Sequence, residues 1–262
     1  MASKTLTWVE QDTSLGEAED LAYSTTLLRA VQHGDLTGPI VRLYRPEPTV
    51  SFGQQDVRLS GYEVAREQSQ RHGFTPTVRK VGGRAAAYHR DSLIIDHIQP
   101  EVDAMVGFRQ RFEYFGELFT NILHRLGVDA AVGEIPGEYC AGEYSVHAVV
   151  SPQQRIKLAG TAQRVVKGAW LFSTSLVVQN GAAIRDVLTD VYRALEIPFA
   201  SATAGAVDDA APGVAVEDVI DELQHTYEHQ FLPGGITGGD TFQLVARDWA
   251  DLLQRVSPTQ EA

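Results

Sequence analysis

YSVHAVVSPQQRIKLAGTAQRVVKGAWLFSTSLVVQ, residues 144–179, is the stretch whose reading decides the fold. Its β-rich runs at 144–150, 155–165 and 169–179 predict an antiparallel meander. Just ahead of it, FRQRFEYFGELFTNILHRL (residues 108–126) puts Phe108, Phe112, Phe115, Leu118 or Phe119, Ile122 and Leu126 on one helical face, and Gly127 ends the helix. That face reads as core and not as a cofactor box. Further upstream, residues 14–33 show a helical stripe through Leu15, Ala18, Ala22, Thr25 and Leu28, with Ser14 as N-cap and Glu17 three residues later. Ile40, Arg42 and Tyr44 alternate with Val41 and Leu43, and after Pro46 and Pro48 comes a second short strand, Thr49 to Phe52. A helix over 59–72 stops at Gly73, and TPTVRKV and AAAYHRDSLIIDHI give two more strands around Gly82 and Gly83.

Downstream of the meander, helices are expected at 181–196, 215–231 and 241–255, with SATAGAVDDAAPG (residues 201–213) as a mobile, small-residue segment between them. No internal repeat is evident. The order of elements predicts an α+β fold: a largely antiparallel mixed sheet flanked by helices, covered on one face or both. Residues 1–262 read as a single catalytic-type domain, with 201–262 as its acidic helical C-terminal extension.

Composition narrows the class. The 262 residues are 44% hydrophobic and 21% charged, which suits a globular chain and not a disordered or fibrous one. No apolar run reaches the ~18 residues of a membrane span, and the N-terminus lacks the basic-then-apolar layout of a signal peptide, so a cytoplasmic protein is expected. The single cysteine, Cys140, excludes an intramolecular disulfide and a multi-cysteine zinc site. With 22 basic and 34 acidic residues the net charge is −12, which argues against nucleic-acid binding by phosphate neutralisation. The distribution says more. Residues 68–90 and 144–185 contain no Asp or Glu, yet carry ten of the 22 Lys and Arg, while 201–262 hold eleven acidic and two basic residues. Such windows suit either a solvated basic face or a local positive field for an anionic ligand or partner.

Four features bear on chemistry. Arg79 to His89, RKVGGRAAAYH, joins a basic pair to Gly82-Gly83 and small residues; Arg79 and Arg84 suit an anionic or carbonyl group, and the glycines suit either close backbone approach or a hairpin turn. Lys157, one of four lysines beside eighteen arginines, sits in the apolar, small-residue strand KLAGTAQ and reads either as ligand-directed or as an exposed strand lysine. Cys140 lies in a glycine-flanked loop, PGEYCAGEYS, as a reactive thiol whose ionisation Lys157 would favour, or as a small buried hydrophobe. His89 is a candidate acid or base against a structural role; no metal-ligand spacing accompanies it, and no metal is predicted.

Taken in order and spacing, RLYRPEPTVSFGQQD, VRKVGGRAAAYH with DSLIIDHI, GEYCAGEYSVH and KLAGTAQRVVKGAW resemble the biotin/lipoate protein ligase superfamily, specifically its lipoate-protein ligase A and lipoyl or octanoyl transferase branch. The resemblance covers about residues 10–200. It implies the superfamily's catalytic-domain fold. Its ligand-contacting lysine falls at Lys157, its basic-pair and Gly-Gly segment at Arg79 to His89, and the nucleophile of its cysteine-dependent amidotransferase type at Cys140. The implied activity is transfer of an octanoyl or lipoyl group through a Cys140 thioester to a carrier-protein lysine. Lys157 would stabilise the thiolate or polarise the acyl carbonyl, backbone N–H groups around Gly160, Thr161 and Ala162 would serve as oxyanion donors, and Arg79, Gly82, Gly83, Arg84, Tyr88 and His89 would bind substrate. The expected partners are lipoyl-domain proteins (glycine cleavage H protein, 2-oxoacid dehydrogenase E2 subunits) or acyl carrier protein. No tightly bound cofactor is expected. Two alternatives accompany this reading: an ATP- and Mg²⁺-dependent ligase acting through a lipoyl-adenylate, and a non-catalytic binder of lipoate or lipoyl domains.

Overall fold

The computed structural model describes residues 4–79, 83–229 and 242–256. The meander forms as its pattern predicts: strands Val146–Ser151 (β8), Gln154–Val166 (β9) and Ala169–Val177 (β10) pair antiparallel in succession. They join Lys4–Gln11 (β1), Ile40–Tyr44 (β2), Ser92–Pro100 (β6), Ala130–Val132 (β7) and Phe242–Ala246 (β11) in one sheet of order β11-β1-β2-β6-β10-β9-β8-β7. The β11–β1 and β1–β2 pairs are parallel and the others antiparallel. A smaller sheet sets Thr49–Phe52 (β3) between a parallel Thr75–Val78 (β4) and an antiparallel Ala86–Tyr88 (β5). The expected largely antiparallel mixed sheet is present. Among the described residues no helix is long and apolar enough to cross a membrane.

Both faces of the larger sheet are covered, and strand alternation sorts the side chains between them. Leu93 and Ile95 of β6, with Trp170 and Phe172 of β10, pack under helices Phe108–Arg125 (α3) and Val216–His229 (α6). On the other face Val9, Ile40, Ile98 and Leu171 meet helices Glu17–His33 (α1) and Trp249–Arg255 (α7). Helices Tyr62–Arg71 (α2) and Gly181–Ala194 (α4) pack with the smaller sheet through Ala65, Ile184, Leu188 and Val191.

One buried charge cluster fixes α1 over the sheet. Register places Arg42 opposite Asp96, and its guanidinium meets that carboxylate at 3.2 Å, fully enclosed. Asp20 of α1 stands 3.7 Å away, and the Tyr44 ring lies 4.1 Å below. Unpaired, a buried charge of this kind would cost several kcal/mol, so Arg42 and its carboxylates specify where α1 sits.

Several expectations are corrected. The α1 N-cap is Gly16, with no side-chain cap and no Ser14/Glu17 box: Ser14 Oγ accepts the Gly16 N–H at 3.0 Å, and the Asp20 carboxylate, inside the helix, ties down the incoming chain by accepting from Leu15 N–H at 3.0 Å and from Ser14 Oγ at 2.5 Å. Phe108 is 49% exposed instead of core, because it is the first residue of its helix. Residues 241–255 are not one helix. FQLVA alternates and pairs with β1, and α7 begins only where Asp248 caps Ala250 N–H at 2.7 Å. The segment 201–213, expected to be mobile, packs into the core: it forms a turn at Ser201–Thr203 and a short helix, Val207–Ala210 (α5), and buries Ala204, Ala206 and Val207. Ala204 bridges Lys157 of β9, which ties this segment to the site. Strands β1 and β7 had no counterpart in the sequence reading.

Candidate active site

A cavity of about 920 Å³ lies between α1, one face of the larger sheet, the smaller sheet and the loop that carries Cys140. Its floor comes from Leu171, Ser173 and Ser175 of β10, Gly160 to Arg164 of β9, and Ile94; Ala86, Tyr88 and Thr75 to Arg79 supply a second wall. The side chains that reach it are mostly small or apolar. Tyr44 and Thr77 are among its lining residues, and their hydroxyl oxygens are buried without a hydrogen-bond partner.

Cys140 sits on the wall of this cavity with its backbone at φ +41°, in the left-handed region. For a residue with a Cβ that conformation costs on the order of 1–3 kcal/mol and persists only where neighbours over-determine it. Three side chains do so. Tyr192 of α4 accepts the Cys140 N–H at 2.7 Å and donates its own proton to Ala85 O at 2.9 Å. Lys157 Nζ, from β9, donates to Tyr139 O at 3.0 Å and Cys140 O at 2.9 Å. Glu138 Oε1 accepts from Gly142 N–H at 3.1 Å and Ser145 Oγ at 2.8 Å, closing the turn on itself.

The group that touches the sulfur is Arg79. Its Nη2 lies 3.4 Å from Cys140 Sγ, and the same guanidinium donates to Arg84 O and, at 2.6 Å, to Ser51 O. These backbone acceptors aim the cation from the end of β4. A guanidinium at hydrogen-bond distance donates to the sulfur and orients it. Lys157 is almost fully buried, and burial lowers its pKa while Glu138, Oε2 at 3.4 Å, and Cys140 oppose the fall. Desolvation likewise pushes the Tyr88, Tyr139 and Tyr192 hydroxyls up, so these remain neutral donors and acceptors.

The structure brings together some of the residues picked out in the sequence and separates others. Arg79, Gly83, Tyr88, Cys140, Lys157, Gly160, Thr161 and Ala162 all line the cavity. Gly82, with Lys80 and Val81, lies outside the described residues. Arg84 is absent from the lining: its guanidinium turns to the buried carboxylate of Asp56 at 3.2 Å, and only its carbonyl serves the site, through Arg79. His89 lies outside the lining, its Nδ1 accepting from Asp91 N–H at 3.1 Å and its Nε2 facing Asn180 O at 3.3 Å. A close approach between two backbone segments is found at Gly53, where a Cβ would lie 2.0 Å from Gly83 O. Gly160 to Ala162 pair with β10 on one edge, and β8 leaves their other edge after Ala159. Alternate N–H groups there point away from β10, as an oxyanion donor would need.

Glu138 and Tyr192 had been given no role. Glu138 stood inside the quoted cysteine motif, whereas Tyr192 carried no signal beyond that of a core aromatic on a predicted helix. The acid-free windows do furnish much of the cavity wall, with Arg79, Lys157 and Arg164, but α1 and the cysteine loop bring Glu17, Glu19 and Glu143 to the same rim. The field is therefore positive at the thiol and mixed at the mouth. Among the described residues no three His, Cys, Asp or Glu side chains are grouped so as to hold a metal.

Residues 17–227 match the family described as the lipoyl protein ligase A/B catalytic domain. An octanoyl-[GcvH]:protein N-octanoyltransferase of Exiguobacterium sp. is 28% identical over 175 residues, 66% of this chain and 59% of that protein. One of the same name from Geobacillus kaustophilus is 29% identical over 64% of this chain and 57% of its own length. The chain thus aligns with somewhat under two thirds of these relatives. A crystal structure of lipoate-protein ligase A bound with ATP superposes with a TM-score of 0.69 at 20% identity, covering 97% of this chain and 93% of that one, and shares the fold.

Proposed function

The chain belongs to the lipoyl protein ligase A/B catalytic-domain family, and from that premise we propose that it is an acyltransferase moving an octanoyl or lipoyl group through a Cys140 thioester to a lysine of a lipoyl-domain carrier. One observation carries the reading: the chain's single thiol lines an apolar cavity and has a guanidinium 3.4 Å from its sulfur. The names of the two transferase relatives support the acyl group and the class of carrier.

In the proposed reaction the Cys140 thiolate attacks the acyl carbonyl carbon. A C–S bond forms, and the bond to the donor breaks, either C–N to a lysine or C–S to a carrier thiol; the leaving nitrogen or sulfur takes a proton from solvent. The acceptor lysine then attacks the thioester as a neutral amine: the amide C–N bond forms, the C–S bond to Cys140 breaks, the sulfur leaves as thiolate, and the amine's surplus proton passes to solvent. Arg79 Nη2 faces that sulfur in the free protein. The free N–H groups on the outer edge of Gly160 to Ala162 receive the tetrahedral oxyanion, each worth roughly 2.7–4 kcal/mol in a dry site. Arg84 and His89 act only on the scaffold. The tail of the acyl group lies along Ala86, Ile94, Ala162 and Leu171, where seven methylenes at ~0.8 kcal/mol each contribute about 5–6 kcal/mol. Glycine cleavage H protein, E2 lipoyl domains and acyl carrier protein are the carriers this chemistry fits, and a thiol kept free for catalysis fits the reducing cytoplasm.

The test is the intact mass of the protein mixed with an octanoylated or lipoylated carrier domain, without ATP, beside Cys140→Ala. One acyl adduct, labile to hydroxylamine and absent from the variant, is the expected result. No adduct, together with ATP- and Mg²⁺-dependent acylation of a lipoyl domain that survives the substitution, would replace this reading with adenylate-forming ligation.

A further inference from the structure

The carboxylate of Glu138 is fully enclosed, with one oxygen saturated and the other aimed at a lysine. Oε1 takes the Gly142 N–H and the Ser145 hydroxyl, while Oε2 has no hydrogen-bond partner and faces Lys157 Nζ at 3.4 Å. Lys157 Nζ therefore stands among three acceptors: Tyr139 O at 3.0 Å, Cys140 O at 2.9 Å and this carboxylate oxygen. An ammonium has three N–H donors and no lone pair, so three acceptors satisfy it; a neutral amine would turn its lone pair on one of them. The Tyr139 ring, 4.8 Å from Nζ, adds a face that also favours a cation.

We propose that Glu138 is a positioning residue: it keeps Lys157 as a fixed ammonium, two of its protons on loop carbonyls and its charge paired with the carboxylate, and through that ammonium it holds the Cys140 backbone in the left-handed conformation that places Sγ beside Arg79. Glu138 grips the turn at both ends, reaching Gly142 and Ser145 directly and the 139 and 140 carbonyls through Lys157. The lysine is thus a clamp and a standing positive charge, and the proton shed by the thiol does not pass to it. Its relevance to catalysis rests on the acyl-transfer reading, whereas the charge assignment does not.

The groups acting on Lys157 are few. Glu138 and Cys140 favour its charge, burial and Arg79 oppose it, and His147, its partner across β8–β9, is turned to Gly133 O at 3.0 Å. Replacing Glu138 by Gln keeps the shape but puts either an amide N–H against Nζ or an amide N–H against Gly142 N–H. The first removes the third acceptor, and both remove the negative charge.

The experiment is ¹⁵N NMR of the lysine amines. The chain has four lysines, Lys4, Lys80, Lys157 and Lys167, so Lys157→Arg assigns the signal by subtraction. In the wild-type protein Lys157 is expected as an ammonium at about pH 7, and in Glu138→Gln its titration midpoint is expected to fall by at least one pH unit, a tenfold change in proton affinity. Glu138→Asp should restore most of that shift. A neutral Lys157 amine in the wild type near pH 7, or a Glu138→Gln titration that overlays the wild-type curve, would overturn the proposal; the wild-type spectrum decides even where the variant does not fold. Because the readout involves no turnover, failure of the thioester experiment leaves it unaffected.

Discussion

Replacing Arg79 by Gln should slow alkylation of Cys140 by iodoacetamide. The reagent reports on thiolate, and the chain has one cysteine, so every adduct counts the same sulfur. Arg79 Nη2 lies 3.4 Å from Sγ, an ordinary N–H···S distance, and the Arg79 side chain is half-buried. A hydrogen bond to a charged group contributes about 1.5–3 kcal/mol to holding and orienting the attacking sulfur. Partial solvent screening places this one at the low end, so a fall of about tenfold in the second-order rate at neutral pH is expected. Arg79→Lys keeps the charge and loses the fork that also serves Ser51 O and Arg84 O, and should fall between wild type and Gln. Circular dichroism and a thermal melt of each variant establish that the loop's scaffold survives. The reasoning is refuted if Arg79→Gln alkylates as fast as the wild type, or if Lys is the slower of the two substitutions.

Tyr192→Phe removes both the acceptor of the Cys140 N–H and the donor to Ala85 O, and a loss of about 1–3 kcal/mol in urea unfolding is expected. Arg84→Ala should also cost about 1–3 kcal/mol by stranding the buried Asp56 carboxylate, yet leave the Cys140 alkylation rate unchanged; a slowed thiol would return Arg84 to the site. His97, stacked on Trp170 and Tyr227, has its pKa lowered by burial from 6.5 to about 4. The unfolded chain therefore takes up the proton first as pH falls, and stability should drop by about 3 kcal/mol between pH 6.5 and pH 4, a slope that His97→Gln would flatten in denaturant melts at several pH values.

What the sequence disclosed follows from periodicity, and what it withheld follows from pairing across distance. The meander and α3 are local patterns, and they appear close to their predicted bounds. β11 pairs with β1 from the opposite end of the chain, so nothing local marks FQLVA as a strand, and its apolar residues fit a helical stripe equally well. Segment 201–213 looked mobile because small residues suit linkers. Here the same smallness lets the chain pass close to α4, where a Cβ on Gly181 would lie 2.8 Å from Ala206 N.

The site shows a subtler limit. RKVGGRAAAYH had been treated as one binding unit, but a strand's period of two divides it: Ala86 and Tyr88 line the cavity, while Ala85, Ala87 and His89 do not. That division could have been drawn from the sequence once Tyr88 was taken as inward. The exchange of roles between the two cations could not. The resemblance implies a Lys157 that stabilises the thiolate or polarises the acyl carbonyl, yet its ammonium is held by two carbonyls and a carboxylate, all belonging to the loop itself. Arg79, sixty-one residues upstream, reaches the sulfur because the smaller sheet carries it there and two backbone oxygens hold its fork in place. The division suits the chemistry. A compact, strongly hydrated ammonium is costly to bury without full satisfaction and serves best as a clamp, whereas a planar guanidinium can bind backbone with some N–H groups and still present another to a thiolate.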